Sequence, residues 1–409
     1  MMTIDARTLM RHQGSLFLEE DTPLALDEFQ QFTVRTDKNE KSDIAGLGFV
    51  FLGLFGEVGS LLSALKKKQR DKESFSSYHD EVIEEFGDAL WYFANAALRA
   101  GMNLSDIAER ARLSLADWTY QGKIGPSTFE DLQKAGKAFT EPVEGQQVET
   151  SLLALAGRVG MLVSHWSSGQ IRDNGDRLSA DLVEIFRSLL VAAEEANVSL
   201  DAAARHNVIK TVGRWPEKRV WDKLFDEDFP EYEQIPRVMR VEFIERTHGK
   251  RQQVVMRYNG VNLGSPLTDN RLEADDYRYH DVFHLAFAGI LGWSPTLRAL
   301  LRIKRKSNPA IDENEDGARA NIIEEGISTW IFNHGLRHGA FKQVKSLDYA
   351  LLKAVRELVT GYEVEQRPLW QWEHAILEGF RVFRELREHR NGVVTIDLEQ
   401  RTIVFERMI

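Results

Sequence analysis

The chain has 409 residues, no cysteine, 43% hydrophobic and 28% charged residues, and a formal net charge of −11. That length suits two or three domains with ordinary cores, and the composition excludes a disordered or fibrous protein. Without cysteine there are no disulfide frameworks, thiolate zinc sites, iron–sulfur clusters or cysteine nucleophiles, so any metal must be held by oxygen or nitrogen. The acidic balance disfavours a general affinity for nucleic acid. The longest apolar run, residues 44–56, is 13 residues long. It falls short of the roughly 20 that cross a bilayer and reads as a core helix, so no membrane partner is expected. Asp5, Glu19 and Glu20 lie near the start with no apolar stretch before a small-residue cleavage site, so a cytoplasmic location is expected.

Up to about Trp215 the apolar residues recur at three- and four-residue spacing, which predicts helices over 27–36, 44–68, 78–100 and 105–118. After Pro216 the pattern changes. Residues 239–246 and 251–258, around the His248-Gly249-Lys250 turn, predict one hairpin, and 393–398 with 401–406 another. Helices are expected around 279–291, 319–332, 347–360 and 372–386. The fold class is therefore multi-domain, an all-α part followed by an α+β part.

The helical part contains an internal repeat. Leu54, Gly56, Val58, Gly59 and Leu61 return as Leu155, Gly157, Val159, Gly160 and Leu162. The block from Glu84 to Leu90 aligns with Glu184 to Leu190, and residues 122–147 read as the linker. Two copies of one four-helix unit account for this, with chance similarity between amphipathic helices as the alternative. The domains expected are 1–121, 148–216 and 217–409.

Glu81, Glu84, Glu85 and Asp88 stand at i, i+3, i+4 and i+7, which puts four carboxylates on one helical stripe. Like charges at this spacing cost about 0.2–0.5 kcal/mol per pair, and no basic residue is interleaved. A divalent cation such as Mg²⁺ would offset the repulsion, with Glu57 of the preceding helix as a further oxygen ligand. A solvated acidic face with one snorkelling glutamate explains the same residues.

Gly56-Glu57-Val58-Gly59, the lysines 66–68 and the run Glu84-Glu85-Phe86-Gly87-Asp88-Ala89-Leu90-Trp91-Tyr92 resemble the MazG-like nucleoside triphosphate pyrophosphohydrolases, as do Phe29-Gln30 and Thr36. The resemblance implies an all-α tandem MazG-like repeat. It also implies Mg²⁺, with Mn²⁺ as a substitute, and hydrolysis of nucleoside or deoxynucleoside triphosphates to the monophosphate and pyrophosphate. By position Glu57 matches the family's first acid, and Glu85 and Asp88 match its Glu-x-x-Asp pair. The second acid is replaced by Ser60, with Glu84 or Glu81 as the candidate substitute. The second copy has Arg158, Ile185 and Ser188 at the acid positions, yet it carries the family's closing segment, with Asn207, Lys210 and Arg214. One copy keeps the acids and the other the bases, so a composite site in a pseudo-dimer is expected. In it Lys67, Lys210 and Arg214 would meet phosphates, and Gln30 and Trp91 would contact the base or sugar. The other reading of Lys210 and Arg214 is a helix C-terminal cap. The family also implies homo-oligomers.

Seven of the eleven histidines follow Pro216, including the i, i+4 pairs His280/His284 and His334/His338. Such pairs can chelate a metal from one helix face. His280, His284 and Glu325, with Glu324 beside it, form a candidate second metal site; hydrogen-bonded histidines and a salt bridge to Arg319 or Arg278 are the alternative. Asp312 to Gly317 imitates the start of a calcium loop but has Ile323 where its bidentate glutamate belongs. Arg298, Arg302, Lys304, Arg305 and Lys306 read as a solvated basic face, with phosphate or nucleic acid contact as the alternative. The whole segment resembles the C-terminal domain of some MazG-like proteins, a likeness that implies no activity. Two rival functions remain: a nucleotide-binding sensor with little turnover that regulates a C-terminal effector or metal hydrolase, or a C-terminal enzyme regulated by the helical part.

Overall fold

Apolar residues three and four positions apart dictate the first half of the structure, a computed structural model that describes residues 22–38, 46–115, 127–134, 137–171, 175–249 and 251–408. The expected helix ends at residues 44 and 118, the linker start at 122 and the N-terminal acids lie outside them. The helices are α1 (Leu26–Thr36), α2 (Leu47–Asp71), α3 (Tyr78–Arg99), α4 (Leu104–Leu113), α5 (Gln146–Ser167), α6 (Gly175–Glu195) and α7 (Leu200–Arg214). On α2 the buried stripe is Leu47, Val50, Phe51, Leu54, Val58, Leu61 and Leu65, one face of a helix. By length and composition alone α2 and its following turn, Leu47–Ser74, could cross a membrane, with a mean hydropathy of 1.7 in its most apolar window. The helix outruns the apolar run at 44–56 and has the length of the helix predicted over 44–68. It carries Glu57 midway and packs against α3 and α5, as core helices of bundles do.

The order α2, α3, α4 recurs as α5, α6, α7. The last helix of each set packs on the middle helix of the other, α7 on α3 and α4 on α6. Gly87 permits the first of these contacts, since a Cβ there would stand 2.3 Å from the Ala203 carbonyl oxygen. Among the described residues the second set has no counterpart of α1; a single 3₁₀ turn, Glu130–Leu132, stands in its place. Beside that turn, Gln133 donates to Val198 O at 2.9 Å and accepts from Leu200 N at 2.8 Å. Gln30 on α1 does the same at the start of α4, donating to Met102 O at 3.0 Å and accepting from Leu104 N at 2.9 Å.

A second compact unit begins at Val220. Its strands are β1 (Val238–His248), β2 (Arg251–Tyr258), β3 (Val261–Asn262), β4 (Asn391–Asp397) and β5 (Thr402–Arg407). They form one antiparallel sheet in the order β3-β2-β1-β4-β5, so the two expected hairpins join through β1 and β4, with Val241 opposite Val394. Alternate β1 residues Met239, Val241 and Phe243 are buried, the period of a strand with one covered face. Between the hairpins lie α8 (Asp281–Ala286), a π turn over Phe287–Leu291, α9 (Pro295–Leu301), α10 (Pro309–Asn314), α11 (Ala318–Arg337), α12 (Tyr349–Leu358) and α13 (Leu369–His389). Helices α9 and α10 went unforeseen because each is only two turns or less. Ser294 and Asn308 cap them, each followed by proline in the first turn.

The expected basic face is corrected at two of its five residues. Arg298 and Arg305 are buried, the first paired with Asp226 at 2.6 Å and the second with Asp316 at 2.7 Å and Glu363 at 2.8 Å. These guanidinium groups hold loops to the core, and Asp316 is drawn into that network rather than into a calcium loop.

Candidate functional site

The acidic stripe is resolved by partners from two other helices. Lys67 on α2 takes Glu81 at 3.1 Å. Lys210 on α7 takes Glu84 at 3.2 Å and also Asp88, whose other oxygen accepts from Asn207 Nδ2 at 2.7 Å. No basic residue is interleaved in the stripe itself, because these lysines are 14 and 126 positions away from their glutamates. Glu84 therefore belongs with Lys210, and it stands outside the group that can share one ion.

That group is Glu57, Glu85 and Asp88, each offering an oxygen within 4.8 Å of the others. Burial, a hydrogen bond to Glu57 and the surrounding carboxylates push the Glu85 carboxyl up to about 9. Burial pushes Glu57 up as well, against the hydrogen bond from Glu85. Two acids sharing a proton is what a three-carboxylate site does when its charge is not otherwise met. The donor set is all oxygen, each Asp88 oxygen keeps a second lone pair, and the three groups come from two rigid helices. It fits a hard divalent cation such as Mg²⁺.

Beside these acids lies a cavity of about 380 Å³, walled in part by Asp88, Trp91, Tyr92, Asn207, Lys210 and Arg214. Trp91 is held by a 2.8 Å hydrogen bond to Thr36 and meets Tyr92 edge to face at 5.0 Å. Arg214 lies over the Trp215 ring at 4.3 Å. Lys38 and Trp215 are also in the wall, and no repeat or acidic pattern in the sequence marks either as a site residue. Two expected contacts are not in this wall. Gln30 is committed to the backbone at the start of α4, and Lys67 to Glu81. In the other half, Arg158 and Glu184 occupy the positions matching Glu57 and Glu84, and they pair at 3.5 Å.

In the C-terminal unit His280, Asp281 and His284 come together, with a ligand-capable atom of each within 4.8 Å. His284 Nδ1 contacts Glu324 Oε1 at 2.8 Å, and His280 Nε2 lies 3.7 Å from Glu325 Oε2. Of the alternative reading, the hydrogen-bonded histidines are present, while Arg278 is occupied by Glu245, Asp269 and Asp276. His334 and His338 stack ring on ring at 4.6 Å.

Residues 221–409 match the family model described as the MazG C-terminal domain. The C-terminal unit is thus MazG-related. The chain is also 36% identical over 69 residues to the "Gene 37 protein" of Mycobacterium phage L5. That stretch is 16% of this chain and 60% of the phage protein, so the chain spans less than two thirds of that relative. No solved structure matches the chain.

Proposed function

We propose that the helical unit is a Mg²⁺-dependent pyrophosphohydrolase of nucleoside or deoxynucleoside triphosphates, and that its site is a composite of two degenerate MazG-like copies. The observation that carries this reading is the convergence of Glu57, Glu85 and Asp88 beside a cavity whose wall includes Lys210 and Arg214. Glu57, Glu85 and Asp88 are the residues that would hold Mg²⁺, with Mn²⁺ suited to the same oxygens. Bound there, the ion would supply Lewis-acid polarisation of a phosphoryl oxygen and a water of lowered pKa for hydrolysis to the monophosphate and pyrophosphate.

The chain's own groups supply the rest. Arg214 offers a planar fork to the β- and γ-phosphate oxygens. Lys210 adds a point charge, oriented by its contacts to Glu84 and Asp88. Asn207 fixes the Asp88 carboxylate, while Trp91 and Tyr92 present aromatic surface to a base. Pyrophosphate release from a panel of triphosphates with Mg²⁺ is the test, with Asp88→Asn and Glu85→Gln as controls. Turnover lost in both variants, with helicity retained, is expected; unchanged turnover in both overturns the site.

Ser60 at the family's second acid position favours a second reading, a nucleotide sensor. Tight triphosphate binding without pyrophosphate release in the same assay would select it.

A further inference from the structure

We propose that the C-terminal unit binds one divalent transition-metal ion between α8 and α11, ligated by His280 Nε2, His284 Nε2 and carboxylate oxygens of Asp281 and Glu325. The site does not depend on the reading of the helical unit. His280 Nε2 lies 3.0 Å from Asp281 Oδ1 and 3.7 Å from Glu325 Oε2, and His284 Nε2 lies 3.4 Å from Glu325 Oε1. His280, Asp281 and His284 thus offer donors within 4.8 Å of one another, and Glu325 reaches both imidazoles from the facing helix.

The tautomers are set from behind. His284 Nδ1 faces Glu324 Oε1 at 2.8 Å, and His280 Nδ1 faces the Tyr277 carbonyl at 2.9 Å. Both partners are acceptors, so in each ring Nδ1 is the nitrogen that donates backwards and Nε2 is the one that faces the gap. Glu324 is itself fixed by Ser294 Oγ at 2.7 Å and Thr296 N at 2.8 Å. The Tyr277 ring stacks on His280 at 4.0 Å and 5°. Such outer contacts orient metal-bound imidazoles and raise their basicity.

The atom that a purely structural cluster satisfies least is His284 Nε2, whose ion-pair partner Glu325 Oε1 stands 3.4 Å away. The His284 side chain is 2% exposed, yet its Nε2 makes no well-formed hydrogen bond, and a buried polar nitrogen without one is costly. A metal ion at that position supplies the partner. Two imidazole nitrogens with two carboxylates favour Zn²⁺, Fe²⁺ or Mn²⁺ over Ca²⁺. Glu325, 44% exposed, is the ligand on the solvent side and gives the ion a way in.

The test uses the full chain, stripped with a chelator, reloaded with Zn²⁺ and passed through a desalting column before elemental analysis. One Zn²⁺ per chain is expected at this site in the parent and in Asp88→Asn. Glu325→Gln, at a half-exposed position that spares the core, and His280→Asn should each weaken Zn²⁺ affinity at least ten-fold. Glu324→Gln should weaken it as well, by about ten- to hundred-fold, through the imidazole it orients. Thermal melting of each variant separates ligand loss from unfolding, and Co²⁺ absorption in the parent reports nitrogen–oxygen coordination. Zn²⁺ affinity unchanged in folded Glu325→Gln and His280→Asn, or loss in Asp88→Asn alone, overturns the proposal.

Discussion

Asn207 Nδ2 reaches Asp88 Oδ1 at 2.7 Å, joining residues 119 positions apart. The bond exists because α7 lies on α3 rather than on α6, the middle helix of its own set. One exchange of helices therefore brings Asn207 and Lys210 to acids they do not neighbour in sequence.

Lys210→Ala should destabilise the helical unit more without Mg²⁺ than with it. Removing the ammonium leaves Glu84, only 8% exposed, and Asp88 without their cation, a loss of about 3–5 kcal/mol for a fully buried pair and less for one partly exposed. A bound divalent ion next to Asp88 restores part of that balance. Melting curves of parent and variant, each with and without Mg²⁺, measure the difference. An equal loss in both conditions would separate Lys210 from the metal site.

Gly87→Ala should damage the site without touching a charged residue. The added Cβ would meet a backbone oxygen, the Ala203 carbonyl at 2.3 Å, and backbone cannot swing aside as a side chain can. Overpacking of this kind costs about 1–3 kcal/mol and pushes α7 away from α3. The expected result is a lower melting temperature together with a rise in KM for the triphosphate. A full-strength site in the folded variant would show that the close approach is not what positions Lys210.

How much of this was legible in the sequence depends on the range of each contact. The periodic apolar stripes announced α1 to α4, and the spacing of Glu81, Glu84, Glu85 and Asp88 announced a carboxylate stripe, because both are local signals; Glu57, on the preceding helix, was marked by its apolar surroundings and by the resemblance. The exchange of α4 and α7 was not written in any local pattern, so Lys210 could be read as a phosphate clamp but not as the partner of Glu84. Gln30 looked like a ligand contact because its role lies 74 residues away at Leu104. Arg298 and Arg305 looked solvated because their acids, Asp226, Asp316 and Glu363, are scattered along the chain. The His280/His284 spacing was plain, whereas the carbonyl and carboxylate that set their tautomers appear only in the fold.

Gln30→Ala and Gln133→Ala should lower stability by similar amounts. Each glutamine satisfies a carbonyl and an amide at the start of a final helix, and an unpaired buried donor costs about 1–3 kcal/mol. Thermal midpoints of the two variants should fall together, while KM for the triphosphate stays at the parental value because neither side chain is in the cavity wall. A selective rise in KM for Gln30→Ala would return that residue to substrate recognition.

Glu315→Gln should stabilise the C-terminal unit at alkaline pH and leave it unchanged in acid. Burial and the nearby Glu363 carboxylate push the Glu315 carboxyl up to about 7, against a hydrogen bond from Glu363 N at 3.1 Å. A carboxyl raised above its usual 4.5 favours the folded state while protonated in both states. That contribution is complete below pH 4.5 and is lost as pH rises through 7. Glutamine keeps a carbonyl oxygen for the Glu363 amide and never ionises, so it escapes this loss. The variant should gain about 1–2 kcal/mol at pH 8 after allowance for solvent screening, and nothing at pH 4.5. Denaturant unfolding of both proteins across that range checks the slope. Parallel curves for parent and variant would mean that Glu315 ionises in the folded protein as freely as in the unfolded chain.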